Sequence, residues 1–345
     1  MPVAQLAPPA RPTGSDFTPL KQAVQAHGLL DRRRRHYSAN IGLNLVLLAA
    51  AWSAVGWLGN SWWQLLLAFP AALLTIRTTF FGHDACHQQI ARTRPVNHAI
   101  GLVLGNLLVG MSYGWWADKH NRHHANPNHT DKDPDVGVGI LAWTEAQAAG
   151  RRGIGGWFTR HQAQLFFPLL TLEGINLKIS SVRYLLGGKR PGRTLECVLL
   201  ATHLAGYLTL PFLVMSPGRA VAFLLLHQAL IGLHLGAAFA PNHKGMPMPE
   251  PGVRWGHLQR QVLTSRNVRG GAVVDWLLGG LNYQVEHHLF PNMPRPNLRR
   301  AQPLVRAHCV SVGIPYTETG LLDSYRQALR HMHRVGRLRP ARRSS

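Results

Sequence analysis

The 345 residues suffice for one large domain or two ordinary ones, with 46% hydrophobic residues, a mean hydropathy near zero and a formal charge of +22. The three cysteines, Cys86, Cys197 and Cys309, exclude a disulfide framework and suit a reducing compartment. Charge alone would admit nucleic-acid binding, but no recognition motif or separate basic domain supports that class.

Apolar blocks alternate with basic, histidine-rich ones, which predicts an all-α integral membrane protein with a substantial water-facing part. Residues 1–31 begin Pro/Ala-rich, lack the apolar run of a signal peptide and read as a disordered tail. Residues 32–310 form the membrane domain, and 311–345 a basic C-terminal tail. Within the domain, residues 36–58, 62–81, 195–215 and 220–240 each reach the roughly 20 apolar residues of a spanning helix. Gly59-Asn60-Ser61 joins the first two and Ser216-Pro217-Gly218-Arg219 the last two, so each pair reads as a helical hairpin. Arg32 to Arg35, the basic residues between the hairpins and the Arg-rich end place both termini and the central segment in the cytoplasm, whereas the hairpin turns carry only Arg219.

Histidines cluster beside these blocks. "HDACH" presents His83 and His87 directly after the second block, an i, i+4 pair on one helical face. Residues 97–116, "NHAIGLVLGNLLVGMSYGWW", are punctuated by Gly101, Gly105, Gly110 and Gly114 and suit a re-entrant or interfacial helix better than a span. "HNRHH" follows with His120, His123 and His124 at i, i+3, i+4. "QVEHHLFP" repeats that spacing with Gln284, His287 and His288. If residues 97–116 do not cross, all three clusters meet on the cytoplasmic face in a helical cap. Imidazole suits iron, copper and zinc. Seven histidines exceed one tetrahedral zinc, so two metal ions are the economical inference.

The boxes HDxxH, HNxHH and QxEHHLFP, in this order and with two hairpins, resemble the membrane-bound fatty acid desaturases. "KHNRHHANPNHTDKDPD", "FAPNHKGMP" and "GGLNYQVEHHLFPNMPRP" are similar to bacterial, actinobacterial acyl-CoA or acyl-lipid members, and the likeness runs from about Arg33 to His308. The resemblance implies a di-iron centre using O2 to insert a cis double bond into a fatty acyl chain in a bacterial plasma membrane. It carries ligand roles to His83, His87, His120, His123, His124, His287 and His288, and to His243 as the isolated ligand histidine. Gln284 departs from the all-histidine third box, a feature often found in members that insert the double bond toward the carboxyl end. It leaves open whether Gln284 binds iron, binds through water, or orients His287 and His288.

Asp84, Asp133, Asp135 and Glu286 are placed to accept the second ring N–H of ligating histidines, although Asp133 and Asp135 equally suit a loop cap beside Pro134. Tyr113, Trp115 and Trp116 suit either an acyl tunnel or an interfacial aromatic belt. His203, His227 and His234 fall inside spans and are expected to bond carbonyls rather than metal. Basic central residues suit a CoA phosphate or acidic carrier as well as membrane orientation. With no HPGG haem-binding segment in the sequence, the expected electron donor is a separate ferredoxin or flavoprotein reductase. A hydroxylase, ketolase or acetylenase on the same scaffold is the nearest alternative. A metal transporter or haem protein is the alternative from another class, with sites at the midplane or on facing spans.

Overall fold

The computed structural model describes residues 16–337, which are mostly helical. Among these, Arg34–Leu58, Gln64–Cys86, Arg193–Val214 and Pro217–His243 are long and apolar enough to cross a membrane. At about 1.5 Å per residue the shortest, with 22 residues, extends about 33 Å, the scale of a bilayer's hydrocarbon core. Gly59, at φ +64°, ends the first helix, and Pro217 opens the fourth where its missing N–H is harmless. The two hairpin turns lie side by side: Asn60 accepts from Ser216 N through its side chain (2.8 Å) and from Arg219 through its carbonyl (3.0 Å). Exposed Trp57, Trp62 and Trp63 surround that end, as at a membrane interface.

The second and fourth spans are the inner pair. Their apolar windows are 56% and 39% buried within the protein, against 17% and 11% for the first and third, which leave their side chains to lipid. Both inner helices run past the predicted apolar limits, so His83 belongs to the second span and His243 closes the fourth.

The segment expected to be re-entrant is a hairpin of helices. Arg94–Leu102 passes into a π-helical stretch, Val103–Val109; Gly110, at φ +76°, then reverses the chain into Tyr113–Ala125, giving a bend of 114°. Gly101 permits it, since a Cβ there would lie 2.2 Å from the Tyr113 ring. A second bend of 72°, between Gln162–Leu170 and Glu173–Leu186, has no counterpart in the sequence reading.

The cap is built on a core of Leu258, Val262, Val285, Leu289, Met293, Leu298 and Val305. Both predicted tails need correction here. Thr18–Ala26 is a helix whose Leu20 and Val24 are buried in that core, because its apolar residues recur at helical spacing. At the other end Glu318–Gly320 pairs in parallel with Asn267–Arg269, and Leu321–Arg337 is an amphipathic helix burying Ala328, Met332 and Val335. Its charge lies on one face only, which a count of basic residues conceals. Residues 1–15 and 338–345 of the two tails lie outside the described residues.

Candidate metal centre

Three segments bring the boxes together. The second span delivers His83 and, one residue past its end, His87; Tyr113–Ala125 delivers His120, His123 and His124; Gln284–Leu289 delivers His287 and His288. One ring nitrogen from each of His83, His87, His120, His124 and His287 lies within 4.8 Å of the others, and one from each of His123, His243 and His288 forms a second such group. Helical phase explains the division. His120 and His124 share a face, whereas His123 and His124, like His287 and His288, diverge by about 100° and serve different groups.

All eight histidines are buried. Buried polar atoms ordinarily have partners, yet Nε2 of His83, His287 and His288 and both ring nitrogens of His124 have none among the described residues. Nε2 of His87 faces Nε2 of His120 at 2.9 Å, and the same atoms of His123 and His243 stand 3.3 Å apart. Two nitrogens each about 2.1 Å from one cation, at right angles, stand about 3 Å apart, so these separations suit ligation. Burial, and then the surrounding imidazoles, holds His87, His120, His124, His287 and His288 well below the usual histidine range. They are therefore neutral, the form that binds metal.

Several outer ring nitrogens are fixed. His83 Nδ1 donates to Asp84 Oδ1 (3.2 Å), and Asp84 Oδ2 accepts from Arg295 Nε (2.8 Å) and Nη2. His123 Nδ1 donates to Asp133 Oδ2 (2.9 Å), with Asp135 at 3.4 Å. Asp133 also accepts from Asn128 N and Asp135 N, so it caps its loop as well as holding a histidine. Burial works to raise the Asp135 carboxyl, but Lys119, His123 and Lys244 outweigh it and hold it below the usual carboxylate range. His243 Nδ1 donates to Thr264 O and His288 Nδ1 to Gln261 Oε1, each at 3.0 Å.

Gln284 lies inside the second group. Its Nε2 is 2.8 Å from His243 Nε2, while its Oε1 accepts from Asn242 (3.2 Å). Glu286 does not support a histidine, contrary to the sequence expectation. Two residues on from Gln284 it is turned by about 200°, away from the ligand face, and accepts from Asn267 (2.6 Å) and Tyr316 (2.8 Å). Burial pushes its carboxyl up to about 7, with those two hydrogen bonds opposing.

Of the three aromatic residues, Trp116 stacks on His120 with centroids 4.3 Å apart; Trp115 is half-buried, and Tyr113 packs against Gly101. An apolar cavity of about 600 Å³ lies elsewhere, between the inner spans, lined by Phe69, Ile76, Leu230, Ala238, Leu278 and Tyr325 among others. Neither Tyr113, Trp115 nor Trp116 lines it. The intramembrane histidines stay apart from the boxes: His203 donates to Leu107 O, His234 to Leu277 O, and His227 bonds Tyr207. His203 and His234 thus point at different carbonyls rather than at a shared haem.

Sequence reasoning missed Asn128, Gln261, Thr264 and Arg295. Asn128 lies within residues 119–135 and Arg295 within residues 279–296, both box-bearing stretches, but neither side chain is a metal-ligand type; Gln261 and Thr264 lie on a box-free segment.

Residues 60–320 match the family model described as fatty acid desaturase. Fatty acid desaturase 3 of Bos taurus is 30% identical over 93% of this chain and 73% of its own. The delta(6)-fatty-acid desaturase fat-3 of Caenorhabditis elegans is 29% identical over 92% of this chain and 74% of its own. The acyl-lipid (9-3)-desaturase of Physcomitrium patens is 27% identical over 93% of this chain, which spans 62% of that protein. With the boxes gathered at the ends of two apolar hairpins, and the match covering most of its length, the chain belongs to the fatty acid desaturase family.

Proposed function

We propose that this protein is an O2-dependent di-iron desaturase that inserts a cis double bond into a fatty acyl chain. The observation carrying this reading is the pair of adjacent buried histidine groups in a member of this family. In them Nε2 of His83, His287 and His288 and both ring nitrogens of His124 lack partners among the described residues, while Nε2 of His87 faces that of His120 and Nε2 of His123 that of His243. His83, His87, His120, His124 and His287 would hold one iron; His123, His243 and His288 the other, with Gln284 beside it. Iron held by these residues would supply, with O2, the oxidant for an unactivated methylene that no side chain offers. The chain's own residues bind, orient and exclude water. Asp84 and Asp133 keep His83 and His123 protonated at Nδ1, which leaves Nε2 to face inward.

The apolar cavity suits the acyl tail. Ile76 precedes His83 by seven residues and Ala238 precedes His243 by five, so the near edge of its lining lies about 8–11 Å along the helices from the ligands. The delta(6) and delta(8) names of several relatives, together with Gln284, favour insertion on the carboxyl side of the chain. The basic flanks support a cytoplasmic position for both termini and the metal centre, and the likeness of the box-bearing stretches to bacterial members supports a bacterial plasma membrane. Electrons would come from a separate ferredoxin or flavoprotein reductase, and the acyl carrier is CoA, lipid or carrier protein. Mass spectrometry of lipids from a host fed perdeuterated stearate and palmitate tests this. Loss of two deuterium atoms from adjacent carbons, abolished by His123→Ala, is expected; one added oxygen would make the protein a hydroxylase.

A further inference from the structure

We propose that Arg266 is a positioning residue for the three-histidine group, and that through it the Leu321–Arg337 helix, just beyond the family-matched residues, becomes part of the metal site. This rests on the metal-centre reading above.

His243 is the last residue of the fourth span, where helix carbonyls run out of intrahelical partners. Arg266 supplies them. Its guanidinium donates to Pro241 O and Lys244 O, on either side of His243, and its backbone N–H to Asn242 O (2.9 Å). The same guanidinium donates to Ser324 O (3.1 Å) and Gln327 Oε1 (2.6 Å) of the C-terminal helix. It is wholly buried, and none of these partners is a carboxylate. A cation so placed is costly unless its fork is filled and helix-end carbonyl dipoles face it. Two residues earlier, Thr264 O accepts a hydrogen bond from His243 Nδ1–H, and Asn128 Nδ2 donates to both His243 O (3.0 Å) and Thr264 O (3.3 Å). One short segment therefore sets both the backbone and the ring of His243. There is little slack, since a Cβ at Gly245 would lie 3.0 Å from Gln327 O. Lysine, a point charge without the planar fork, cannot make this set of bonds.

The experiment compares full-length wild type, Arg266→Lys, Arg266→Gln and Gln327→Leu, purified in detergent, by iron content per chain and by size-exclusion profile. Wild type should hold two irons. Both Arg266 variants should hold about one while remaining monodisperse, and Gln327→Leu should lose a smaller fraction. General destabilisation would empty both groups together, whereas a displaced His243 empties the three-histidine group first. Full wild-type iron in the Arg266 variants, or a fall to near zero that empties both groups, overturns the inference. If neither Arg266 variant folds, Gln327→Leu decides: retained iron overturns the proposal and selective loss supports it. A wild type without iron overturns the metal-centre reading itself.

Discussion

The two histidine groups are unlike in construction. The first gathers five imidazoles from three chain segments, and only His83 among them leans on a carboxylate, Asp84. The second has three imidazoles, yet each has its outer nitrogen fixed: His123 by Asp133, His243 by Thr264 O, His288 by Gln261. A site can be held by numbers of ligands or by orientation of few. Crowded imidazoles constrain one another sterically, so losing one leaves four. A group of three has no spare and depends on its supports.

The sharpest way to break this comparison is to remove one ligand from each side. His288→Ala should abolish desaturation, by more than about 100-fold, and release one metal per chain. His287→Ala should also inactivate but retain more metal, because four imidazoles remain. Equal metal loss in the two variants would erase the distinction.

Next in size are the supports. Asp133→Asn should cost about 10–100-fold in metal affinity or activity, since the amide holds the His123 ring more weakly and disturbs the loop cap. Gln261→Ala, acting only on His288, should cost less than Asp133→Asn; metal titration of both variants checks the order.

Gln284 gives a smaller and more diagnostic effect. Gln284→His should keep the metal and part of the activity, because imidazole restores a donor beside His243. Gln284→Ala should lower turnover by about 10-fold, the low end of the range for a supporting contact. An unchanged Gln284→Ala variant would remove the amide from the second group altogether.

The smallest effect is expected at Glu286, which sits between Gln284 and His287 in sequence and belongs to neither group. Glu286→Gln keeps the shape and one acceptor toward Asn267 and Tyr316, so activity should stay within a few-fold of wild type in the lipid assay. A loss comparable to Asp133→Asn would show that this carboxyl acts on the metals after all.

Much of this was legible in the chain. Spans of about 20 apolar residues followed from hydropathy alone, because a bilayer demands continuous apolar length. The boxes were visible because helical spacing puts i, i+3 and i+4 on one face, and the punctuating glycines marked the hairpin that keeps the second box on the side of the first. What local pattern cannot hold is the division of eight histidines into five and three. That depends on how four helices are rotated against one another, which packing decides. The same limit explains Glu286, given a role by adjacency and turned away by helical phase, and the C-terminal segment, whose charge outweighed its buried Ala328, Met332 and Val335. Arg266 and Thr264 carried no signal, since their partners lie 20 or more residues away. Ligand types and spacing are properties of the chain; which nitrogen faces which metal is set by contacts between segments distant in sequence, and exists only once the chain is folded.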